Sequence, residues 1–253
     1  MIPDPGNDIW IPADWPAPDH VYAGTTTRRG GVSTGNYSSF NLGDHVGDKQ
    51  EHVEENRKRL QKYLELPDSP VWLEQVHGNR VQLNPQSGEK KYRADGVYCN
   101  KTGIVCCIMT ADCLPILVCD SAGKEIAAIH AGWRGLSKNI IANTVSRFQV
   151  DHDSLMAWFG PAICQDCYEV GSNVLAGFTP DVCENEFLFK PGNPGHWFAD
   201  LKAIARYQFE KLGITRFFGG DYCSACNGQN FFSYRRDGNT GRNASMIWMA
   251  IRD

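Results

Sequence analysis

The stretch from Gly96 to Ile129 constrains the fold more than any other part of the chain. Four apolar, β-prone runs follow one another: Gly96-Val97-Tyr98-Cys99, Ile104-Val105-Cys106-Cys107-Ile108-Met109, Ile116-Leu117-Val118-Cys119 and Ile126-Ala127-Ala128-Ile129. Each is short for a helix, and Gly, Pro, Asp or Asn punctuates the gaps between them. Runs of this kind predict strands buried in the middle of a domain. Further strands are expected at 21–25, 71–73, 80–83, 155–159, 215–218 and 246–249.

Helices are expected around this sheet. Asp48 followed by Glu51 resembles a capping box opening a helix to about Leu64, with Val53, Leu60 and Leu64 on its apolar face and Pro67 beyond its end. Ile140, Ile141, Val145 and Phe148 recur at helical spacing over 137–148. Asp200 is the expected cap of a third helix, with Leu201, Ile204, Ala205 and Leu212 inward and Gly213 as its stop. A strand directly after the second helix implies at least one crossover unit. The expected fold class is α/β: a single domain over 1–253, with a mixed sheet or two packed β-sheets flanked by helices. The Gly-, Ser- and Thr-rich stretch 26–47 reads as a long loop, and loops of that length usually bind something or hide short hairpins.

Composition narrows the function classes. With 42% hydrophobic residues in 253, the chain has enough apolar side chains for a sizeable core. A net charge of -4 and a pI near 6.0 leave no basic footprint for nucleic acid. No run approaches the roughly 20 apolar residues that span a bilayer. The start, Met1-Ile2-Pro3-Asp4-Pro5-Gly6-Asn7-Asp8, lacks the basic and apolar regions of a secretory signal, so the ten cysteines read as reduced thiols in the cytoplasm.

Three segments carry the chemistry: Gln75-Val76-His77-Gly78, Ala111-Asp112-Cys113-Leu114-Pro115 and His130-Ala131-Gly132-Trp133-Arg134-Gly135. Each puts a metal ligand or nucleophile beside Gly, Pro or Ala at an apparent strand exit, where rigid scaffolds present functional groups. Two imidazoles and a thiolate make a three-ligand zinc site with a fourth position open. The competing reading is two hydrogen-bonded histidines and a buried thiol with no shared ion. Asp112 is a candidate partner for a ligand imidazole, or else a cap for the following turn.

Other groups compete. Arg28-Arg29-Gly30-Gly31-Val32-Ser33-Thr34-Gly35 lacks the lysine and hydroxyl of a P-loop but suits an anion, as do Arg134 and the pair Arg235-Arg236. Trp133, Phe40, Phe231 and Phe232 are candidates to stack on a base, or else core residues. Cys164-Gln165-Asp166-Cys167 and Cys223-Ser224-Ala225-Cys226 are separated by 55 residues, against about 15–20 in a zinc ribbon. A closed second zinc site, a redox dithiol and unbonded thiols all stay open for them.

Taken together, the motifs resemble those of the YfiH-like family, also called the laccase-domain or polyphenol oxidase family and later described as purine nucleoside phosphorylases. The matching stretches run in order through nearly the whole chain. They include Thr26-Thr27-Arg28, Gly30-Gly31-Val32-Ser33, Asn41-Leu42-Gly43, Gln75-Val76-His77-Gly78, Thr110-Ala111-Asp112-Cys113-Leu114-Pro115, His130-Ala131-Gly132-Trp133-Arg134-Gly135 and Phe231-Phe232-Ser233-Tyr234-Arg235-Arg236-Asp237. Cys167 and Cys226 do not belong to the family pattern.

The resemblance implies zinc held by His77, Cys113 and His130, with copper as the weaker alternative. It also implies a cytoplasmic enzyme taking a purine nucleoside and phosphate, with neither nucleic acid nor membrane as partner. The implied reactions are phosphorolysis of adenosine, inosine and methylthioadenosine, and deamination of adenosine. Cys113, Asp112, Arg28 and Arg134 are then the expected catalytic residues, and Arg28, Asn41 and Arg134 the expected substrate-binding ones. Asp112 or Glu74 would shuttle protons. One rival keeps the residues but makes Cys113 a nucleophile and His130 its base, giving a hydrolase acting on an amide of a cell-wall precursor. Copper-dependent phenol oxidation and a zinc-stabilised binding module are further alternatives.

Overall fold

The computed structural model describes residues 9–88 and 91–251, so the N-terminal octapeptide read for a leader lies outside the described residues. The four apolar runs become the strands Gly96–Cys99, Cys106–Thr110, Leu114–Asp120 and Ile126–Ala131, but they do not share one sheet. Six strands form the larger sheet, in the order Arg216–Gly219, Leu155–Phe159, Leu114–Asp120, Ile126–Ala131, Gly96–Cys99, Val81–Leu83. Its outermost pairs are parallel and its inner pairs antiparallel. Cys106–Thr110 is instead the edge of an antiparallel four-stranded sheet with Asn243–Met249, Val21–Thr26 and Trp10–Pro12.

Alternation along the strands sorts the layers. From Leu114–Asp120, Leu114, Ile116 and Val118 join a core with Leu136, Ile140, Ile141, Leu201, Ile204 and Phe209 of the helices. Leu117 and Cys119 point the other way, against Cys106, Ile108, Ile247 and Met249 of the second sheet. Behind that sheet, Cys107, Met246 and Trp248 pack with Phe40, Leu42, Leu60 and Leu64. The order is thus helix, sheet, sheet, helices, as the mixed, two-sheet expectation requires. Each fully buried Leu or Ile in these layers contributes about 1.5–3 kcal/mol, so the central strands are a stiff base for whatever sits at their ends.

Several elements differ from the sequence reading. The helix expected over 137–148 is two short ones, Trp133–Ser137 and Ile140–Val145, because Asn139 adopts φ +61° between them. Gln50–Tyr63 forms a helix, but Asp48 does not cap it: its carboxylate accepts bonds from Ser33 Oγ and Asn41 Nδ2 instead. Asp200 does cap Leu201–Glu210, accepting from the Lys202 and Ala203 amides. The small sheet of Glu169–Gly171, His196–Ala199 and Phe189–Pro191 lies outside the strands expected from the sequence.

The long loop 26–47 is pinned from within. Asn56, fully buried on the first long helix, donates to the Ser39 and Asn41 carbonyls and accepts from the Val32 amide. One side chain thereby replaces the sheet partners this loop lacks.

Candidate metal centre

Cys113 stands where the chain leaves one sheet for the other, in the tight connection between Cys106–Thr110 and Leu114–Asp120. That turn is held by Asp112 at φ +93°, a conformation costly for a residue with a side chain. His130 is the penultimate residue of Ile126–Ala131 and lies directly across from Pro115, so strand register carries its imidazole to Cys113. His77 comes from the loop after Leu73–Glu74, and its own φ is +57°. Gln75 anchors that loop like an extra strand: its Nε2 donates to the Met109 carbonyl and its Oε1 accepts from the Met109 amide, both at 2.8 Å.

The ligand atoms of His77, Cys113 and His130 lie within 4.8 Å of one another. The two imidazole rings meet edge to face, 4.8 Å between centroids. His130 is buried, Cys113 half-buried and His77 exposed, so the cluster opens to solvent on the His77 side. Gly132 makes room for the sulfur, since a Cβ there would sit 2.8 Å from Cys113 Sγ.

Asp95, fully buried, organises the cluster. Its Oδ1 lies 2.8 Å from His130 Nδ1 and accepts from the His77 amide at 2.8 Å. Its Oδ2 accepts from the amides of Gly78 at 2.7 Å and Val76 at 3.2 Å. Its carbonyl takes the His130 amide at 2.7 Å. Burial alone would raise the Asp95 carboxyl, but His130 and the Gly78 and Val76 amides hold it below its ordinary value. The imidazole partner is therefore Asp95, not Asp112.

Charge in the cluster follows from this. Burial disfavours the Cys113 thiolate, yet the His130 and His77 imidazoles outweigh it and lower its pKa to about 6. Burial likewise opposes a charged His130, and Cys113 and Asp95 overcome it, raising His130 to about 9. Without a metal, the cluster at neutral pH holds a thiolate beside an imidazolium. A cation entering it displaces the His130 proton and finds Nε2 free, because Asp95 occupies Nδ1. Two imidazole nitrogens and one thiolate with an open side suit zinc.

The other expected residues are placed as follows. Asp112 accepts from Ser224 Oγ and the Arg235 amide, each at 2.6 Å. Arg28 gives Nε to the Ser38 carbonyl and Nη1 to the Gly228 carbonyl, and it lies over the Phe232 ring at 4.6 Å. Asn41 is fully buried, its Nδ2 on the Gly43 carbonyl and Asp48 and its Oδ1 on the Gly43 and Arg242 amides. Those bonds occupy its donors and acceptor internally. Arg134 is exposed, its guanidinium 4.4 Å from the Trp133 ring centroid. Glu74 is exposed and 3.8 Å from Arg93. Phe40, Phe231 and Phe232 are fully buried core residues rather than stacking platforms.

Three residues near the cluster are given no site role by the sequence. Asp95 is one. Tyr168 is held above its ordinary pKa by burial and by the charge of Cys113, with Arg235 and Arg134 acting against that rise. Burial holds the Arg242 guanidinium below its ordinary pKa, with the charges of Cys113 and Asp112 acting against that fall, and its Nη1 donates to the Thr240 and Gly241 carbonyls. Arg242 carried a sequence signal, a cation immediately before the last strand, and Tyr168 stands in a stretch, Tyr168-Glu169-Val170-Gly171, that resembles the family's.

Comparison with known proteins follows the same lines. A family model described as multi-copper polyphenol oxidoreductase laccase matches residues 22–250. A relative in Escherichia coli (strain K12), named purine nucleoside phosphorylase YfiH, is 46% identical over 240 residues, covering 94% of this chain and 98% of its own. A Pseudomonas aeruginosa relative, also named a purine nucleoside phosphorylase, is 44% identical over 96% of this chain and 99% of its own. The crystal structure of a Neisseria meningitidis protein superposes with a TM-score of 0.90 at 42% identity, covering 96% of this chain and 99% of that one. YlmD from Geobacillus stearothermophilus superposes at 0.89 with 30% identity, over 96% and 97% of the two chains. Matched along nearly its whole length in sequence and fold, the chain belongs to the YfiH, laccase-like family.

Proposed function

We propose that the chain is a zinc-dependent purine nucleoside phosphorylase, acting on adenosine, inosine and methylthioadenosine, and that the same centre deaminates adenosine. The observation that carries this reading is the convergence of His77, Cys113 and His130 around one point with Asp95 fixing the geometry. Names of relatives at 44–46% identity supply the substrate class.

A zinc ion bound by the trio would supply Lewis acidity at the reacting centre. The chain's own residues do the rest. Asp95 keeps His130 in one tautomer and locks the His77 loop. Arg134 and Arg242 supply positive charge for phosphate. Asn41 serves the site indirectly, by holding the Arg242 backbone. Asp112 fixes the turn that presents Cys113, its carboxylate being engaged by Ser224 and Arg235. Arg28 braces the loop around Ser38.

Product analysis with adenosine tests the reading. Adenine formed only with phosphate present indicates phosphorolysis, and inosine indicates deamination. His77→Ala should abolish metal binding at this centre and both products together. Phosphorolysis surviving intact in metal-free protein would overturn the zinc role.

One observation favours a second reading. Cys113, His130 and Asp95 also form a nucleophile, base and orienting carboxylate, the arrangement of a cysteine hydrolase. Zinc separates the two: a metal ligand is shielded from alkylation by the ion, whereas a nucleophile needs to be free of it to act.

A further inference from the structure

The two CxxC pairs are far apart in sequence but emerge side by side. Leu155–Phe159 and Arg216–Gly219 are parallel neighbours at one end of the six-stranded sheet, paired from Met156 with Arg216 to Phe159 with Gly219. The chains leaving them stay together, with Ala162 and Cys223 forming a further parallel bridge. Cys164 and Cys167 follow one strand, Cys223 and Cys226 the other. All four sulfurs lie within 4.8 Å of one another.

We infer that Cys164, Cys167, Cys223 and Cys226 bind a second zinc ion, in a closed tetrahedral site separate from the His77 cluster. With Zn–S bonds of about 2.3 Å, tetrahedral sulfurs stand about 3.8 Å apart. The Cys164–Cys226 and Cys167–Cys226 separations are 3.9 and 3.4 Å. These distances suit a shared ion far better than a disulfide of about 2.05 Å, and all four cysteines are free. Backbone amides of Cys164 and Cys226 point at Cys223 Sγ at 3.2 and 3.4 Å, the donors a metal-bound thiolate requires. Arginine charge is also at hand to balance a four-thiolate centre of net charge −2. Arg236 Nη1 donates to the Ser224 and Ala225 carbonyls, and Arg235 Nη1 to the Cys167 and Glu169 carbonyls.

Four protein ligands leave no open coordination position, so this centre is structural. What it braces is visible in its hydrogen bonds. Asp112 receives the Ile163 amide on its carbonyl and Ser224 Oγ on its carboxylate, one bond from beside each cysteine pair. The Arg235 amide completes the set. The zinc would tie both loops to the strained turn that presents Cys113, whatever reaction Cys113 serves.

Zinc quantification on protein from zinc-replete culture tests this. Wild type should carry two equivalents per chain, Cys167→Ser/Cys226→Ser one and His77→Ala one. The double variant should also melt at a lower temperature. Because the variant risks misfolding, the folded wild type gives an independent readout by alkylation and peptide mapping. Cys226, though exposed, should alkylate at least tenfold faster after chelation than before. Three results would overturn the inference: wild-type zinc content in the double variant, Cys226 labelling unaffected by chelation, or a disulfide among the four cysteines in folded protein.

Discussion

Asp95 Oδ1 lies 2.8 Å from Nδ1 of His130, and the same oxygen lies 2.8 Å from the backbone nitrogen of His77. One carboxylate oxygen therefore sets both imidazoles, one through its ring and the other through its backbone. Asp95→Asn places an NH2 among N–H donors whichever way the amide is turned. Metal affinity of the His77 centre should fall by roughly 10–100-fold, the usual cost of losing such a partner. Competition against a zinc-binding dye measures it, with Cys167→Ser/Cys226→Ser as background so that one centre is read alone.

Gly132 has an ordinary extended φ of −73°, so alanine is conformationally acceptable there. Its methyl group would nevertheless meet Cys113 Sγ at 2.8 Å. Gly132→Ala should lose the metal of the His77 centre and activity while keeping the wild-type circular dichroism spectrum. Retention of full metal occupancy would show that the sulfur has room the geometry denies it.

The Cys113 thiol, lowered from an ordinary 9.0 to about 6, is charged above that pH in metal-free protein. Because the thiolate is the reactive form, alkylation of Cys113 should rise with pH and reach half its plateau near 6. Cys107 and Cys119, raised by burial, should stay unlabelled over the same range. Zinc should suppress the Cys113 reaction. Peptide mapping after timed iodoacetamide treatment distinguishes the three.

Asn56→Ala removes the partners of two loop carbonyls and one amide in a buried place. At about 1 kcal/mol or more for each group left unsatisfied, stability should fall by roughly 3 kcal/mol. Urea unfolding gives the value. A loss below about 1 kcal/mol would mean water or a rearranged loop replaces those bonds.

The layered fold was legible because strands buried on both faces leave short apolar runs, and these lie where the strands are. Their division between two sheets was not, since Cys106–Thr110 and Leu114–Asp120 look alike as sequence and part only at the turn held by Asp112. His77, Cys113 and His130 were legible as ligand types at strand exits. Asp95 was not, because its partners are 18 and 35 residues away and the adjacent Asp112 is the more obvious carboxylate. The pairing of the CxxC units depends on which strands neighbour each other, information that spacing does not contain.

The most direct test of the account is anomalous diffraction at the zinc edge on crystals of the intact chain. The account predicts a peak about 2.0–2.1 Å from one nitrogen each of His77 and His130 and about 2.3 Å from Cys113 Sγ, with no fourth protein ligand. The absence of zinc between those three side chains, or a fourth protein side chain closing the site, would contradict it.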